Sequence, residues 1–133
     1  MRRRANELAD FVTYARARYG IASPIALGYS NGANIAAAVL LLRPTELAGA
    51  ILLRTTPPLA HPNAVKLDGV PVLIVSGARD PIIQPAAKLA SLLERYGATV
   101  EHQVSPVGHD LSQADVTLAQ RWWNTQGLAA TNN

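Results

Sequence analysis

The sequence predicts an α/β fold: a parallel sheet of about four strands with helices on both faces. Three observations predict it. Strand-like and helix-like segments alternate along the chain, the strand-like runs are mostly short and continuously apolar, and a glycine-framed turn joins one of them directly to a strongly apolar helix. In such folds ligands bind at the carboxyl ends of the strands. A length of 133 residues and a mass of 14.1 kDa fit one domain, spanning residues 1–133.

Between Asn6 and Tyr19, Leu8, Phe11, Val12, Ala15 and Tyr19 recur at helical spacing, and Gly20 stands where a left-handed cap is expected. This reads as an amphipathic surface helix. Ser23 to Tyr29 is a short apolar run ending at Gly28-Tyr29, followed by Gly32 to Leu42, apolar nearly all round. A buried strand, a tight turn and a buried helix are expected. Arg43-Pro44 stops that helix, and Ala48 to Leu53 reads as a second buried strand before a Pro-rich loop, Thr55 to Pro62. Val70 to Gly77 is β-branched and continuous, with Pro71 tolerable near the strand start. Helix Pro85 to Tyr96 places Leu89, Leu92, Leu93 and Tyr96 on one face and stops at Gly97. Thr99 to Val104 alternates polar and apolar residues, as a half-solvated edge strand does. Ser112-Gln113-Ala114-Asp115 resembles a capping box opening a last helix with Val116, Ala119, Trp122 and Trp123, and the tail from Thr125 to Asn133 reads as frayed.

Composition excludes several classes. With 49% hydrophobic and 16% charged residues the chain can build a core and is not disordered. The net charge of +3 is concentrated near Arg2, Arg3, Arg4 and Arg16, leaving no basic stripe for nucleic acid. Absence of Cys removes disulfides, thiolate-bound zinc and thiol catalysis together. Met1 to Arg4 is followed by Ala5-Asn6-Glu7-Leu8-Ala9-Asp10 rather than an unbroken apolar signal-peptide core, and the longest apolar run, Ile35 to Leu42, is far shorter than the roughly 20 residues a membrane span needs. A cytoplasmic protein without a membrane span is expected.

The chemistry centres on Gly28-Tyr29-Ser30-Asn31-Gly32, a G-x-S-x-G pattern set between a predicted strand and a predicted helix. A serine on so sharp a turn is held in a strained conformation. Gly28 and Gly32 are expected to be required because side chains there would collide as strand and helix pack together. The helix N-terminus behind Ser30, with the Asn31 backbone N–H, can stabilise an oxyanion. A serine hydroxyl needs a base and an orienting carboxylate. Of His61, His102 and His109, only His109 follows the carboxyl end of a strand. Asp80 directly follows the strongest strand, although Asp before Pro also starts turns; Asp68 and Asp10 lie elsewhere, and Asp110 and Asp115 read as solvated loop and helix-start residues. The order Ser30, Asp80, His109 is that of α/β-hydrolases.

Three stretches carry a family resemblance: Gly28 to Ala36, Ser76 to Ile82, and Gly108-His109-Asp110-Leu111. Together they resemble α/β-hydrolases of the carboxylesterase and phospholipase type, close to the dienelactone-hydrolase-like esterases. The resemblance implies hydrolysis of small-molecule carboxylic esters through an acyl-enzyme on Ser30, with no metal or organic cofactor. Dienelactone hydrolases carry Cys as nucleophile, so Ser30 points to the esterase branch. Family members have an eight-stranded sheet, and this chain corresponds to the part from the helix before the fifth strand onward. The N-terminal half, with the loop that supplies a second oxyanion N–H, has no counterpart here. The strand from Pro24 to Tyr29 is then a free sheet edge, the helix Ile35 to Leu42 is expected to lose cover, and a homo-oligomer through that edge is expected. Pro57 and Leu59 in the Pro-rich loop are candidate substrate contacts. The competing reading is a non-catalytic or weakly active binding or assembly module derived from a hydrolase.

Overall fold

The computed structural model describes residues 1–126; the expectation for the tail lies, beyond Gln126, outside the described residues. The elements are α1 (Arg2–Tyr19), β1 (Ile25–Tyr29), α2 (Asn31–Leu42), β2 (Gly49–Leu53), β3 (Pro71–Gly77), α3 (Ile83–Arg95), β4 (Thr99–Ser105) and α4 (Gln113–Thr125). The strands form one parallel sheet in the order β1-β2-β3-β4, so all four carboxyl ends lie on one side. Among the described residues no helix is long and apolar enough to cross a membrane.

Side-chain alternation along the central strands splits the core in two. Ala50, Leu52, Val72 and Ile74 face a core shared with α1, α2 and α3, whereas Ile51, Leu53, Leu73 and Val75 face Trp122 of α4. Because both faces of β2 and β3 are covered, these strands read as unbroken apolar runs. The outer strands are half solvated. The run containing β1 reads as buried in sequence, yet Leu27 is 68% exposed, because it lies on the face of Ile51, where α4 packs over β3 and β4 and not over this outer strand.

The first helix buries a different face from the one its large apolar residues suggest. Ala5 and Ala9 are fully buried, while Leu8, Phe11 and Tyr19 are exposed. The facing helix explains this. Packed against α1, α2 (Asn-Gly-Ala-Asn-Ile-Ala-Ala-Ala) is rich in small residues, and two alanine-lined surfaces approach more closely than bulky side chains would allow. The helix Ile35 to Leu42 therefore keeps its cover: Ala37, Ala38, Val39 and Leu40 are fully buried between α1 and the sheet. Arg43 donates to Asp10 at 2.9 Å and ties the end of α2 to α1.

Candidate active site

Ser30 sits between the last residue of β1 and the first of α2, with φ 54° and ψ −115°. A left-handed φ is costly for a residue with a Cβ, and two hydrogen bonds hold it there: the Ser30 N–H donates to the Leu53 carbonyl at 2.8 Å, and the Ser30 carbonyl accepts the Asn34 N–H at 3.0 Å. The turn is tight because Gly28 lies against the start of α2. A Cβ at Gly28 would stand 2.6 Å from the Ala33 nitrogen and from the Gly32 carbonyl. The matching expectation for Gly32 is corrected, since a Cβ there meets nothing within 4 Å. The collision is one-sided, strand glycine against helix backbone.

The structure brings Ser30, His109 and Asp80 together from three separate connections. Ser30 Oγ lies 3.0 Å from His109 Nε2, and His109 Nδ1 lies 2.7 Å from Asp80 Oδ2. The imidazole is partly solvated while the Asp80 side chain is only 2% exposed. Asp80 also serves the turn that the sequence suggests, because its other oxygen, Oδ1, accepts the Ile82 N–H at 3.1 Å across Pro81. Asn31 is the first residue of α2, so its N–H is among those that the helix itself leaves without a partner. The remaining histidines are elsewhere. His61 is exposed in the Pro-rich loop, and His102 on β4 lies 2.8 Å from Ser76 Oγ, where burial pushes its pKa below the ordinary histidine value.

The loop bearing His109 is held carbonyl by carbonyl. Pro106 O accepts from Arg79 Nη2 at 3.0 Å, Val107 O from the Arg79 N–H at 3.1 Å, Gly108 O from Arg54 Nε at 3.0 Å, His109 O from the Tyr29 hydroxyl at 3.1 Å, and Asp110 O from Arg54 Nη2 at 3.0 Å. The donors stand at or just beyond the carboxyl ends of β1, β2 and β3. Gly77 lets this loop pass close by, since a Cβ there would reach to 2.6 Å from the Val107 carbonyl.

Arg54 and Asp115 are the functional-region residues that sequence reasoning missed. Asp115 does open α4, where its carboxylate accepts from the Ser112 N–H at 2.8 Å, but it is 1% exposed rather than solvated. Both of its oxygens accept from Arg54, at 2.7 and 2.9 Å. An arginine ending the apolar run Gly49–Leu53 was the available signal, because a guanidinium so placed is buried unless the chain turns outward. Pro57 and Leu59 line a cavity of about 720 Å³ against α3, and the residues lining it include none of Ser30, Asp80 and His109.

No family model matches the chain. It is 34% identical over 124 residues to "Putative hydrolase MhqD" of Bacillus subtilis (strain 168), covering 90% of this chain and 62% of the relative. The Bacillus cereus carboxylesterase superposes with a TM-score of 0.85 at 34% identity, over 91% of this chain and 59% of that one. The carboxylesterase of Mesorhizobium loti gives a TM-score of 0.85 at 36% identity, over 90% and 59%. The chain thus spans about 60% of the length of these relatives. In sequence and structure it is similar to the carboxylesterases, and its architecture is that of the C-terminal portion of an α/β-hydrolase.

Proposed function

We propose that the chain is a serine carboxylesterase acting on short-chain esters of small molecules. The observation that carries this reading is the unbroken line from Ser30 Oγ to His109 to buried Asp80, at 3.0 and 2.7 Å. His109 takes the Ser30 proton as the oxygen attacks the ester carbonyl; Asp80 holds the imidazole with Nδ1 protonated and stabilises the imidazolium that forms. The Asn31 N–H, at the positive end of α2, faces the oxyanion. Collapse expels the alcohol, protonated by His109, and leaves an acyl group on Ser30. Water, activated by the same imidazole, then releases the acid. Every proton is accounted for by these side chains, so the cycle is written without a metal or organic cofactor. The protein is further proposed to be a single cytoplasmic domain that self-associates through β1.

A second reading is a binding or assembly module with little turnover, favoured by the exposed edge at Leu27 and by the separation of the Pro57–Leu59 cavity from the triad. A fluorophosphonate probe decides between the two, because only an activated serine reacts with it. Labelling of wild type that disappears in Ser30→Ala, together with hydrolysis of p-nitrophenyl acetate, is the expected result. No labelling, or a Ser30→Ala chain that keeps half its rate, rejects the esterase.

A further inference from the structure

We propose that Arg54 is a positioning residue for His109: its guanidinium, locked onto Asp115, fixes the loop that presents the imidazole to Ser30. This rests on the esterase reading of the triad.

Arg54 is fully buried at its side chain and adopts a φ of 59°, a left-handed conformation unusual for a residue with a long side chain. The residue follows directly on the carboxyl end of β2. There the guanidinium spreads its donors over two kinds of acceptor. Nη1 and Nη2 each bind one Asp115 oxygen, while Nε and Nη2 bind Gly108 O and Asp110 O, the carbonyls on either side of His109. With Nη1 also donating to the Val75 carbonyl at 3.3 Å, the planar fork serves five acceptors at once because its donors diverge in one rigid plane, which an ammonium on a flexible stem cannot do. Asp115 in turn is fixed by the Ser112 N–H and hydroxyl, at 2.8 and 3.1 Å. The position of the base is thereby tied to the start of α4. The Arg54 side chain is fully buried, so it acts through the loop and not on substrate.

The geometry matters because the His109 ring is itself partly solvated and, among the described residues, hydrogen-bonds to one buried partner, Asp80. A loop carbonyl freed on either side of it lets the ring move off that single contact, which is what holds the proton on Nδ1. Misplacement of a catalytic group by about 1 Å costs on the order of 10²-fold in rate.

The test compares wild type, Arg54→Lys, and a double variant, Arg54→Met with Asp115→Asn. The double variant removes both charges together, so neither is left buried alone, and it guards against a single variant that fails to fold. Two readouts are taken on chains that unfold cooperatively: the rate of fluorophosphonate labelling of Ser30, and the tautomer of His109 read from nitrogen-15 imidazole shifts. We expect labelling about 10²-fold slower in both variants, and a mixture of tautomers where wild type holds Nδ1–H. A purely structural role would lower thermal stability and leave the tautomer of the folded chain unchanged. A folded variant that labels at the wild-type rate, or retains the wild-type tautomer, overturns the proposal. Should wild-type Ser30 take no label, the esterase reading fails and the tautomer comparison alone decides the positioning role.

Discussion

The Tyr29 hydroxyl donates to the carbonyl of His109 at 3.1 Å, so the residue immediately before Ser30 holds the residue that Ser30 faces. Their rings lie 5.6 Å apart, tilted by 44°. The nucleophile turn and the base loop are separated by about eighty residues in sequence, yet they are joined by this contact as well as by the Ser30–His109 hydrogen bond. Removing the hydroxyl with Tyr29→Phe deletes one neutral hydrogen bond, which contributes about 0.5–1.5 kcal/mol. The expected outcome is a labelling rate of Ser30 about 2- to 10-fold lower, with a smaller loss than for Arg54→Lys, because the carbonyls of Pro106, Val107, Gly108 and Asp110 remain held. Equal losses in the two variants would show that Arg54 has no special hold on the loop.

The two glycines of the turn are predicted to behave differently. Gly28→Ala drives a methyl group to 2.6 Å from backbone atoms of α2, and backbone cannot swing aside as a side chain can. Overpacking of this kind costs about 1–3 kcal/mol. Gly32→Ala meets open space and removes a glycine from the first turn of a helix, which stabilises by about 0.4–1 kcal/mol where the conformation suits alanine. Urea unfolding of the two variants measures this. A Gly32→Ala chain as unstable as Gly28→Ala would contradict the one-sided packing.

Stability is predicted to fall in acid in two stages. Burial lowers the His102 pKa, so the folded chain resists protonation there while the unfolded chain does not. Its contribution is complete above the ordinary histidine value of about 6.5 and declines as the pH drops below it. For Asp115, burial raises the pKa, but hydrogen bonds from Arg54 and Ser112 and the Arg54 charge outweigh it and leave the carboxyl below its ordinary value. That contribution is present above about 3.9 and is lost as the pH falls through the depressed folded value. Urea midpoints across this range should decline more gently below pH about 6.5 in His102→Asn, with the lower stage retained. An unchanged upper stage would place its origin outside His102.

What the sequence disclosed follows the range of the forces involved. Ser30, Asp80 and His109 were legible because each follows a strand and lies within a short local pattern, and a parallel sheet gathers such ends on one side. Arg54 and Asp115 were not paired in advance, since they stand 61 residues apart and Asp115 already had a sufficient local explanation in its capping box. The buried face of α1 is set by a force of another kind. Helical periodicity is carried by large apolar residues such as Leu8 and Phe11, whereas close helix packing buries Ala5 and Ala9.

The last prediction concerns β1. Its neighbour on one side is β2, and the backbone groups on its other side have no strand partner among the described residues. Leu27 is 68% exposed on the face that carries Ile51, beside a cavity of about 630 Å³ lined by Ile51, Ala119 and Trp123. An unpaired strand edge flanked by exposed apolar side chains templates pairing with another chain. We expect sedimentation to show a dimer or larger assembly of this chain, and Leu27→Lys to shift it toward monomer, because a lysine on an edge opposes strand addition. The substitution lies at an exposed position, so the fold should survive it. Activity links to the same edge: only the Asn31 N–H is assigned to the oxyanion, and one missing donor costs about 10²- to 10³-fold in rate. If a second copy supplies that donor across the edge, specific activity rises with protein concentration and falls in Leu27→Lys. A chain that sediments as a stable monomer, with specific activity constant on dilution, would refute both the association and the donor in trans.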